Sequence, residues 1–494
     1  MLSGCGGAPR RVVSTPTLPL PVDVLQNDLR GIFESSDFNR STWSVLVRPA
    51  AGGDTLYALN AGKLVLPGSN MKLLTLAAAA QRLGWDYRFE TRLAALAPVE
   101  SGVLEGDLFI IGSGDPSISE RSDDPGVLKA LARQLHDAGV QRVDGNIIGD
   151  DDAFEDNGFG AGWAWDNLPY GYSAPVTALE YNEGSVDLVV HAGPSAGDAV
   201  TIEVRPEGSG LEVDNQLTTV SETSPGMLTL ERTPGSSHLV VRGRIPAGAA
   251  PFARTASVEN PTEFFARAFR LALLAEGVHV AGGATDLDLV VPKPDLTSAR
   301  SLVTRRSPPL SELARSMMKV SQNQYAELLL RAVGGTQSVR DSLHTLGIPD
   351  DSYFVADGSG LSRYNFVTDE TLVAILQRFS QRPADRPFID ALPIAGRDGT
   401  LARRLVGTPA EGRVRAKSGT VDNVRAISGY LDDADGETLV FSIIANNFIS
   451  PTAQIDTAAD RAIVRLVGFR RSRAASADAA PAAPAPPQPS GTRP

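Results

Sequence analysis

Three short motifs built from serine, lysine and asparagine stand far apart along this chain. They are Ser69-Asn70-Met71-Lys72, Ser321-Gln322-Asn323 and Lys417-Ser418-Gly419-Thr420. They follow the order S-x-x-K, S-x-N and K-[ST]-G. A serine hydroxyl is a weak nucleophile until a neighbouring base removes its proton, and a desolvated lysine can be that base. The motifs therefore predict a serine acyl-enzyme in which lysine, not histidine, is the base.

The S-x-x-K pattern occurs twice, so the pattern alone does not identify the nucleophile. Ser316 and Lys319 also fit it, but they share with the second motif one stretch, residues 310–332, that we predict as a continuous helix. A nucleophile there would come from the same segment as its helper residues. Ser69 instead follows a Pro-Gly turn and opens a predicted helix. Because residues three apart share a helix face, Lys72 can reach its hydroxyl.

Lysine is scarce in this chain, with 6 Lys against 40 Arg. Arginine carries charge but cannot be deprotonated in proteins, whereas a buried lysine can act as a base. Three of the six, Lys72, Lys319 and Lys417, lie in or beside the motifs. Lysine is thus kept where its chemistry is needed.

Histidine and metal chemistry are not indicated. The five histidines lie away from the serine motifs and show no H-x-x-x-H spacing; they are His136, His191, His238, His279 and His344. A Ser-His-Asp triad is therefore unsupported. With a single cysteine there is no Cys/His cluster of the kind that binds zinc. We expect neither a metal nor a cofactor.

Size and charge narrow the class of protein. A chain of 494 residues predicts two or three domains. The net charge of −12, with no basic run, argues against a nucleic-acid partner. The sequence contains no run of 18 apolar residues, so it predicts no transmembrane helix.

The only cysteine, Cys5, lies in Leu2-Ser3-Gly4-Cys5, which resembles a bacterial lipobox. Only four residues precede it, far fewer than the charged and apolar regions of a signal peptide need. Two interpretations stay open: a start codon further upstream, which would make Cys5 a lipidation site, or an accidental match. In the first case the protein would touch a membrane only through this anchor.

The elements that must position the motifs come from both ends of the chain. We predict an α+β fold in which an antiparallel sheet is covered by helices, including the Ser69 helix and a C-terminal helix over residues 452–467. The strands of this sheet are predicted at residues 44–48, 55–60, 414–420, 424–431 and 438–446. Residues 24–88 and 302–470 would form this discontinuous catalytic domain.

The remaining residues are predicted to form insertions and termini. Residues 89–182 and 252–301 would form one inserted domain, and short alternating strands over residues 183–251 predict a second, β-rich one. Residues 1–23 would be an N-terminal tether. The Ala-Pro-rich residues 471–494 are predicted to be a disordered tail.

Besides the three motifs, four further segments of the sequence resemble those of a known protein family. They are Gly106-Asp107-Leu108, Gly112-Ser113-Gly114-Asp115-Pro116, Asp357-Gly358-Ser359-Gly360-Leu361-Ser362-Arg363 and Leu392-Pro393-Ile394-Ala395-Gly396-Arg397-Asp398-Gly399-Thr400-Leu401. With the three motifs, the chain resembles the class C low-molecular-mass penicillin-binding proteins over roughly residues 25–470. This is the D-alanyl-D-alanine carboxypeptidase/endopeptidase family of peptidoglycan enzymes, serine peptidases of the S13 type.

The resemblance implies a transpeptidase-like catalytic domain, shared with β-lactamases, that carries two extra domains between the first two motifs. It implies hydrolysis of the terminal D-Ala-D-Ala bond of peptidoglycan stem peptides, often cleavage of peptide crosslinks, and acylation by β-lactams. Such substrates lie outside the cytoplasmic membrane, in the periplasm or at the outer face of the envelope. One departure is Ser418, where the family commonly has Thr; both side chains offer a hydroxyl.

On this resemblance, the motif residues take the following roles. Ser69 attacks the carbonyl of the penultimate D-Ala, and Lys72 takes its proton with a pKa lowered by Lys417. Ser321 relays the proton to the departing D-Ala. Asn323 binds the substrate amide or orients Lys72. The backbone N–H groups of Ser69 and Thr420 form an oxyanion hole. The terminal carboxylate of the substrate is held by Lys417, Ser418, Gly419 and Thr420.

Two other functions stay open. A β-lactamase uses the same motifs, but normally adds a carboxylate base for deacylation and lacks the long insertion. A catalytically inactive peptidoglycan-binding module is the non-enzymatic alternative, although all three motifs are intact.

Two features carry open interpretations. The loop 357–363 is either placed near the site or is a plain structural turn. Trp163 and Trp165, in the insertion, are predicted to pack in a core in preference to meeting glycan.

Overall fold

The computed structural model describes residues 20–122, 125–155 and 158–471. The α-helices within these residues are α1 Pro21–Phe33, α2 Met71–Arg82, α3 Val127–Asp137, α4 Pro261–Ala275, α5 Leu310–Lys319, α6 Asn323–Ala332, α7 Gly335–Thr345, α8 Asp369–Ser380, α9 Arg386–Asp390 and α10 Thr452–Val467. The strands are β1 Thr42–Pro49, β2 Tyr57–Leu59, β3 Glu90–Ala95, β4 Val99–Glu100, β5 Val103–Leu104, β6 Leu108–Ile111, β7 Arg142–Val143, β8 Ile147–Asp150, β9 Ser185–His191, β10 Thr201–Arg205, β11 Glu212–Val220, β12 Met227–Glu231, β13 His238–Pro246, β14 Phe252–Ser257, β15 His279–Val280, β16 Ala284–Asp286, β17 Arg300–Arg306, β18 Tyr353–Phe354, β19 Phe366–Val367, β20 Val414–Val421, β21 Val424–Asp432 and β22 Thr438–Asn446.

A five-stranded antiparallel sheet joins the two ends of the chain. Its strand order is β2-β1-β22-β21-β20, and β1 pairs with β22 over the whole strand, from Thr42 opposite Asn446 to Pro49 opposite Leu439. The five predicted strands of this sheet are confirmed, as is the α+β class. The pairing places β20, which carries the third motif, at the edge of the sheet.

Helices cover both faces of this sheet, so its strands are buried on both sides. Side chains alternate between the faces of a strand. Val45 and Val47 accordingly pack in one core with α1 and α10, while Leu46 packs in a second core with α2 and α8. The second core holds the α2 helix, which carries the first motif, against the sheet.

The predicted continuous helix over residues 310–332 is wrong. The chain forms α5 and α6 instead, separated at Val320, Ser321 and Gln322. Ser321 has φ +62°, a left-handed value that a right-handed helix cannot contain. Gln322 is extended and caps α6 by accepting a hydrogen bond from the Gln324 N–H. The break places the second motif at a corner rather than along a helix.

The chain between α2 and α5 forms four further sheets with α3 and α4. Their strand orders are β16-β8-β6-β3-β17, β15-β7-β5-β4, β10-β9-β14 and β11-β13-β12. One apolar core extends through them. The strands predicted over residues 183–251 are confirmed, and one strand of this region, β11, pairs in parallel with β13.

The ends of the chain are only partly described. Helix α1 begins at Pro21, because proline suits the first position of a helix. The helix therefore takes up the last residues of the predicted tether, whose residues 1–19, with Cys5, lie outside the described part. The predicted disordered tail lies outside it too, apart from residue 471. None of the described helices has the length and apolar character needed to cross a membrane.

Candidate active site

Ser69 lies in a single 3-10 turn, Gly68–Asn70, immediately before α2. Glycines let this turn approach its neighbours closely. A Cβ on Gly419 would lie 2.7 Å from the Pro67 oxygen, and one on Gly360 would lie 1.9 Å from the Gly68 oxygen. The serine turn is thus held between the edge strand β20 and the loop that contains Gly360.

Lys72 lies one helical turn beyond Ser69, as predicted, and its side chain has no exposure to solvent. Its Nζ lies 3.1 Å from Ser69 Oγ, 2.7 Å from Asn323 Oδ1 and 2.8 Å from the Ser359 carbonyl oxygen. These three acceptors match the three N–H bonds of a protonated lysine. In the neutral amine, the lone pair can instead accept the proton of Ser69.

Burial lowers the pKa of Lys72 to about 7, because the charged ammonium loses its hydration. The carboxylates of Asp357 and Glu327 act in the opposite direction, but more weakly. From the sequence, Lys417 is predicted to lower this pKa, but burial is the leading cause in the structure. A large fraction of Lys72 is therefore neutral at pH 7 and able to accept a proton.

The second and third motifs meet at a buried lysine. Lys417 Nζ donates hydrogen bonds to Ser321 Oγ at 2.8 Å and to the Ser418 carbonyl oxygen at 2.7 Å. Burial, and then the positive charge of Lys72, hold the pKa of Lys417 well below its usual value. The left-handed conformation of Ser321 is costly for a residue other than glycine. The strained backbone of Ser321 therefore lies at the active site, where the Ser321 hydroxyl accepts a hydrogen bond from Lys417.

Asn323 connects the site to the insertion. Its Oδ1 accepts from Lys72, and its Nδ2 donates to the Tyr172 carbonyl oxygen at 2.8 Å. Of the two predicted roles for Asn323, the contact with Lys72 is the one present in this structure. The loop that carries Tyr172 therefore closes one side of the site.

The edge strand β20 presents backbone N–H groups outward. The Ala416 N–H donates to the Pro393 carbonyl, away from the neighbouring strand β21. Because N–H groups alternate along a strand, those of Ser418 and Thr420 point to the same outer edge. A Cβ on Gly68 would lie 3.2 Å from the Thr420 nitrogen, so this nitrogen lies beside the serine turn. The Ser418 hydroxyl lies 2.7 Å from Thr400 Oγ1.

The structure thus brings Ser69, Lys72, Ser321, Asn323 and the β20 motif together. It does not do so for the second S-x-x-K. Lys319 Nζ donates to the Leu392 carbonyl at 2.7 Å and to Asp398 at 2.6 Å, and is not bonded to Ser316. Lys319 therefore fastens α5 to the segment after α9.

The loop 357–363 lies at the site, which settles the open choice in favour of proximity. Its Ser359 carbonyl accepts from Lys72, and its buried Asp357 carboxylate shapes the loop. Asp357 accepts from the N–H groups of Gly360 at 2.7 Å and Ser362 at 2.6 Å, and from Trp163 Nε1 at 2.9 Å. The carboxylate also supplies a negative charge near Lys72.

Glu327 is a site neighbour that the sequence reasoning missed. Its carboxylate accepts from the Ser359 N–H at 2.8 Å and the Gly358 N–H at 3.1 Å, and burial raises its pKa. It lies four residues after Asn323, on the same face of α6. That spacing was the available signal.

The two tryptophans of the insertion differ in environment. Trp163 is partly buried and bonded to Asp357. Trp165 is 72% exposed, so the prediction that it packs in a core is wrong. It lies in a 3-10 turn, Trp165–Asn167, whose backbone carries the ring outward.

An open cleft of about 730 Å³ lies over Ser69. Both insertion and catalytic segments line it: Ser69, Ala164, Asp166, Asn167, Tyr172, Asn323, Gly360, Leu361, Arg363, Thr420, Val421, Asp422, Asn423, Arg425 and Thr452. A substrate would therefore contact both parts of the chain.

One group of carboxylates in the described residues could hold a cation. Oxygens of Asp151, Asp286 and Asp288 lie within 4.8 Å of one another, although none of these residues lines the cleft. Thr262 donates to Asp151, and Lys293 donates to Asp288. The ammonium group of Lys293 thus already neutralises part of the negative charge of this cluster.

Comparison with known proteins matches the chain to the family described as D-Ala-D-Ala carboxypeptidase 3 (S13) over residues 25–467. A D-alanyl-D-alanine carboxypeptidase of Actinomadura sp. (strain R39) is 33% identical over 487 residues, 91% of this chain and 89% of that protein. Among solved structures, penicillin binding protein 4 (dacB) from Haemophilus influenzae is 26% identical with a TM-score of 0.77, covering 90% of this chain and 99% of that one. A predatory peptidoglycan endopeptidase from Bdellovibrio bacteriovorus is 16% identical with a TM-score of 0.51, covers 88% of this chain and 95% of that one, and supports the fold alone. The family model spans most of the sequence, which confirms the resemblance: the chain belongs to the D-Ala-D-Ala carboxypeptidase 3 (S13) family.

Proposed function

We propose that this protein is a serine-type D-Ala-D-Ala carboxypeptidase that acts on peptidoglycan stem peptides through an acyl-enzyme on Ser69 and binds penicillin covalently. The observation that carries the proposal is Lys72. Its buried Nζ lies 3.1 Å from Ser69 Oγ and has a pKa of about 7. A base with such a pKa suits proton transfer near neutral pH.

Acylation begins when neutral Lys72 takes the proton of Ser69 Oγ. The oxygen attacks the carbonyl carbon of the penultimate D-Ala, and negative charge develops on the carbonyl oxygen. The backbone N–H groups of Ser69 and Thr420 would bind this oxyanion. Loss of one such donor typically costs about 3 kcal/mol of transition-state stabilisation.

The tetrahedral intermediate then collapses. The C–N bond breaks, and the proton that Lys72 took from Ser69 passes through Ser321 to the nitrogen of the departing D-Ala, which leaves Lys72 neutral again. Ser321 is held for this relay by its hydrogen bond with Lys417. An ester to Ser69 remains. Water attacks this ester while neutral Lys72 takes a proton from the water. The bond between the acyl carbon and Ser69 Oγ then breaks, Lys72 returns the proton to Ser69 Oγ, and the shortened peptide leaves with both residues regenerated.

The third motif would bind the terminal carboxylate of the substrate. Ser418 and Thr420 offer hydroxyl groups, the buried amine of Lys417 donates a hydrogen bond to Ser321 beside them, and Gly419 leaves space for the serine turn. Asn323 keeps Lys72 in place through its Oδ1.

We also propose the domain division predicted from the sequence. Residues 24–88 and 302–470 form the catalytic domain, supported by the single sheet that β1, β2, β20, β21 and β22 share. Residues 89–182 and 252–301 form the first inserted domain and residues 183–251 the second.

We also propose a location for this protein in the cell envelope. A peptidoglycan substrate requires an enzyme in the periplasm or at the outer face of the envelope, and the sequence Leu2-Ser3-Gly4-Cys5 fits lipidation of Cys5. Detergent-phase partitioning of the native protein, compared with Cys5→Ser, tests this anchor. Equal partitioning of the two proteins would contradict lipidation.

The test of function measures release of D-Ala from a peptide ending in D-Ala-D-Ala, together with the intact mass of the protein after incubation with penicillin. We expect D-Ala release and a long-lived adduct on the peptide containing Ser69. Rapid turnover of the adduct would favour a β-lactamase. The absence of both activities would favour an inactive binding module. Product analysis on a crosslinked muropeptide separates carboxypeptidase from endopeptidase activity.

A further inference from the structure

A second cavity adjoins the active-site cleft, with one loop between them. This cavity, of about 450 Å³, is lined by Trp165, Asp166, Pro169, Leu230, Glu231, Arg232, Thr233, Pro234, Ser236, His238 and Val240. Asp166 lines both spaces, while its neighbours Ala164 and Asn167 face the cleft. We call the second space the Trp165 cavity. A ligand could extend from one space into the other past Asp166.

The loop between the two spaces is held firmly. The Arg232 side chain, only 1% exposed, donates to the Leu168 carbonyl at 3.3 Å and to the Ser257 carbonyl and hydroxyl, both at 2.7 Å. The Leu230 N–H donates to the Tyr170 hydroxyl at 3.4 Å. The loop that carries Trp165 is therefore held in place by these hydrogen bonds.

Trp165 is the most exposed aromatic side chain in the part of the chain that the structure describes, at 72%. The ring lines a cavity that also contains polar groups, and ligand sites typically combine an aromatic wall with a few polar side chains. Around the cavity are hydroxyl groups of Thr233 and Ser236, the imidazole of His238 and the carboxylate of Glu231.

This combination matches a sugar ring. A pyranose has an apolar C–H face that stacks on an aromatic ring, and hydroxyl groups at its edge that need donors and acceptors. An anionic ligand fits less well, because Asp166 and Glu231 line the space and Arg232 already bonds protein atoms. The cavity therefore favours a neutral carbohydrate.

We propose that the Trp165 cavity binds an N-acetylated amino sugar of the peptidoglycan glycan strand, while the stem peptide joined to that sugar lies in the cleft. This rests on the proposed function for the identity of the ligand. The two spaces share Asp166 in their linings, and an extended peptide of five residues spans at most about 17 Å. The cavity would select peptides that are still attached to glycan.

The first experiment compares kcat/KM for D-Ala release from two substrates with the same stem peptide, one free and one linked to its disaccharide. For Trp165→Ala, we expect the ratio of the linked to the free value to fall about tenfold, mainly through KM, and Trp165→Phe to restore most of it. The control is Phe354→Ala, since Phe354 is 49% exposed but lines neither space. An unchanged ratio in Trp165→Ala would overturn the proposal.

The second experiment needs no catalysis. Calorimetric titration measures the binding of peptide-free glycan strands to the unmodified protein. We expect binding to the wild type and to Phe354→Ala, and about tenfold weaker binding to Trp165→Ala. Absence of binding to the wild type, or equal binding to all three, would refute the glycan site. If glycan binds but neither peptide substrate is cleaved, the glycan site stands and the proposed function fails.

Discussion

The pH dependence of acylation tests the role of Lys72 most directly. Its pKa of about 7 arises because the amine is buried, with Asp357 and Glu327 opposing the shift only in part. The base must be neutral to take the proton of Ser69, so activity rises as pH rises through 7. Each pH unit below the pKa reduces the neutral fraction about tenfold, equivalent to about 1.4 kcal/mol. We expect the second-order acylation constant to fall about a hundredfold from pH 8 to pH 5, and to level off above pH 8.

The assay follows fluorescent penicillin bound to the protein at short times between pH 5 and pH 9.5, with circular dichroism verifying the fold at each pH. Lys63→Arg is the matched control, since Lys63 is exposed, and its profile should equal that of the wild type. A lysine with the ordinary pKa of 10.5 would instead give a constant still rising tenfold per unit at pH 9. That result, or a flat profile, would refute the assignment of a neutral, buried Lys72 as the base.

Three further outcomes are expected. Lys72→Arg should label with penicillin as poorly as Lys72→Ala, because arginine cannot release a proton in this range; near-normal acylation would show that only the positive charge matters. Ser69→Ala should abolish labelling and retain the melting temperature, whereas Ser316→Ala should label normally; the reverse would move the nucleophile to α5. Gly360→Ala should lower the free energy of unfolding by about 2 kcal/mol or more in urea titration, since its φ is +87° and the new Cβ would meet a carbonyl oxygen at 1.9 Å. Gly52 has a similar φ of +89°, but a Cβ there would meet no atom within 4 Å, so Gly52→Ala should lower the free energy of unfolding by only about 1 kcal/mol. Equal losses of stability in the two variants would contradict the argument that the Gly360 site is too tightly packed for a Cβ.

Local patterns predicted much of this protein. The strands of the catalytic sheet and helix α10 follow from apolar periodicity, and Ile455, Ile463 and Leu466 of that helix are buried. A periodic pattern reports which face of an element meets a core, and this depends on neighbours in sequence. The spacing of Ser69 and Lys72 on one helical turn is local in the same sense.

Other features depend on segments that meet only in the folded chain. Lys72 and Asn323 are 251 residues apart in sequence, so neither spacing nor propensity reveals the 2.7 Å contact between them. The break at Ser321 overrides a helical pattern because the tertiary structure places that hydroxyl at Lys417.

By itself, the sequence determined the three motifs and their order, the strands of the catalytic sheet, and helices α2 and α10, since these depend on residue types and local periods. Only the tertiary structure decided the pKa of Lys72 and the solvent exposure of the Trp165 ring. Burial removes water from the Lys72 amine, and the loop conformation leaves the Trp165 ring in solvent. Solvent exposure is a property of the packed molecule, because it depends on every segment that covers a side chain or leaves it open.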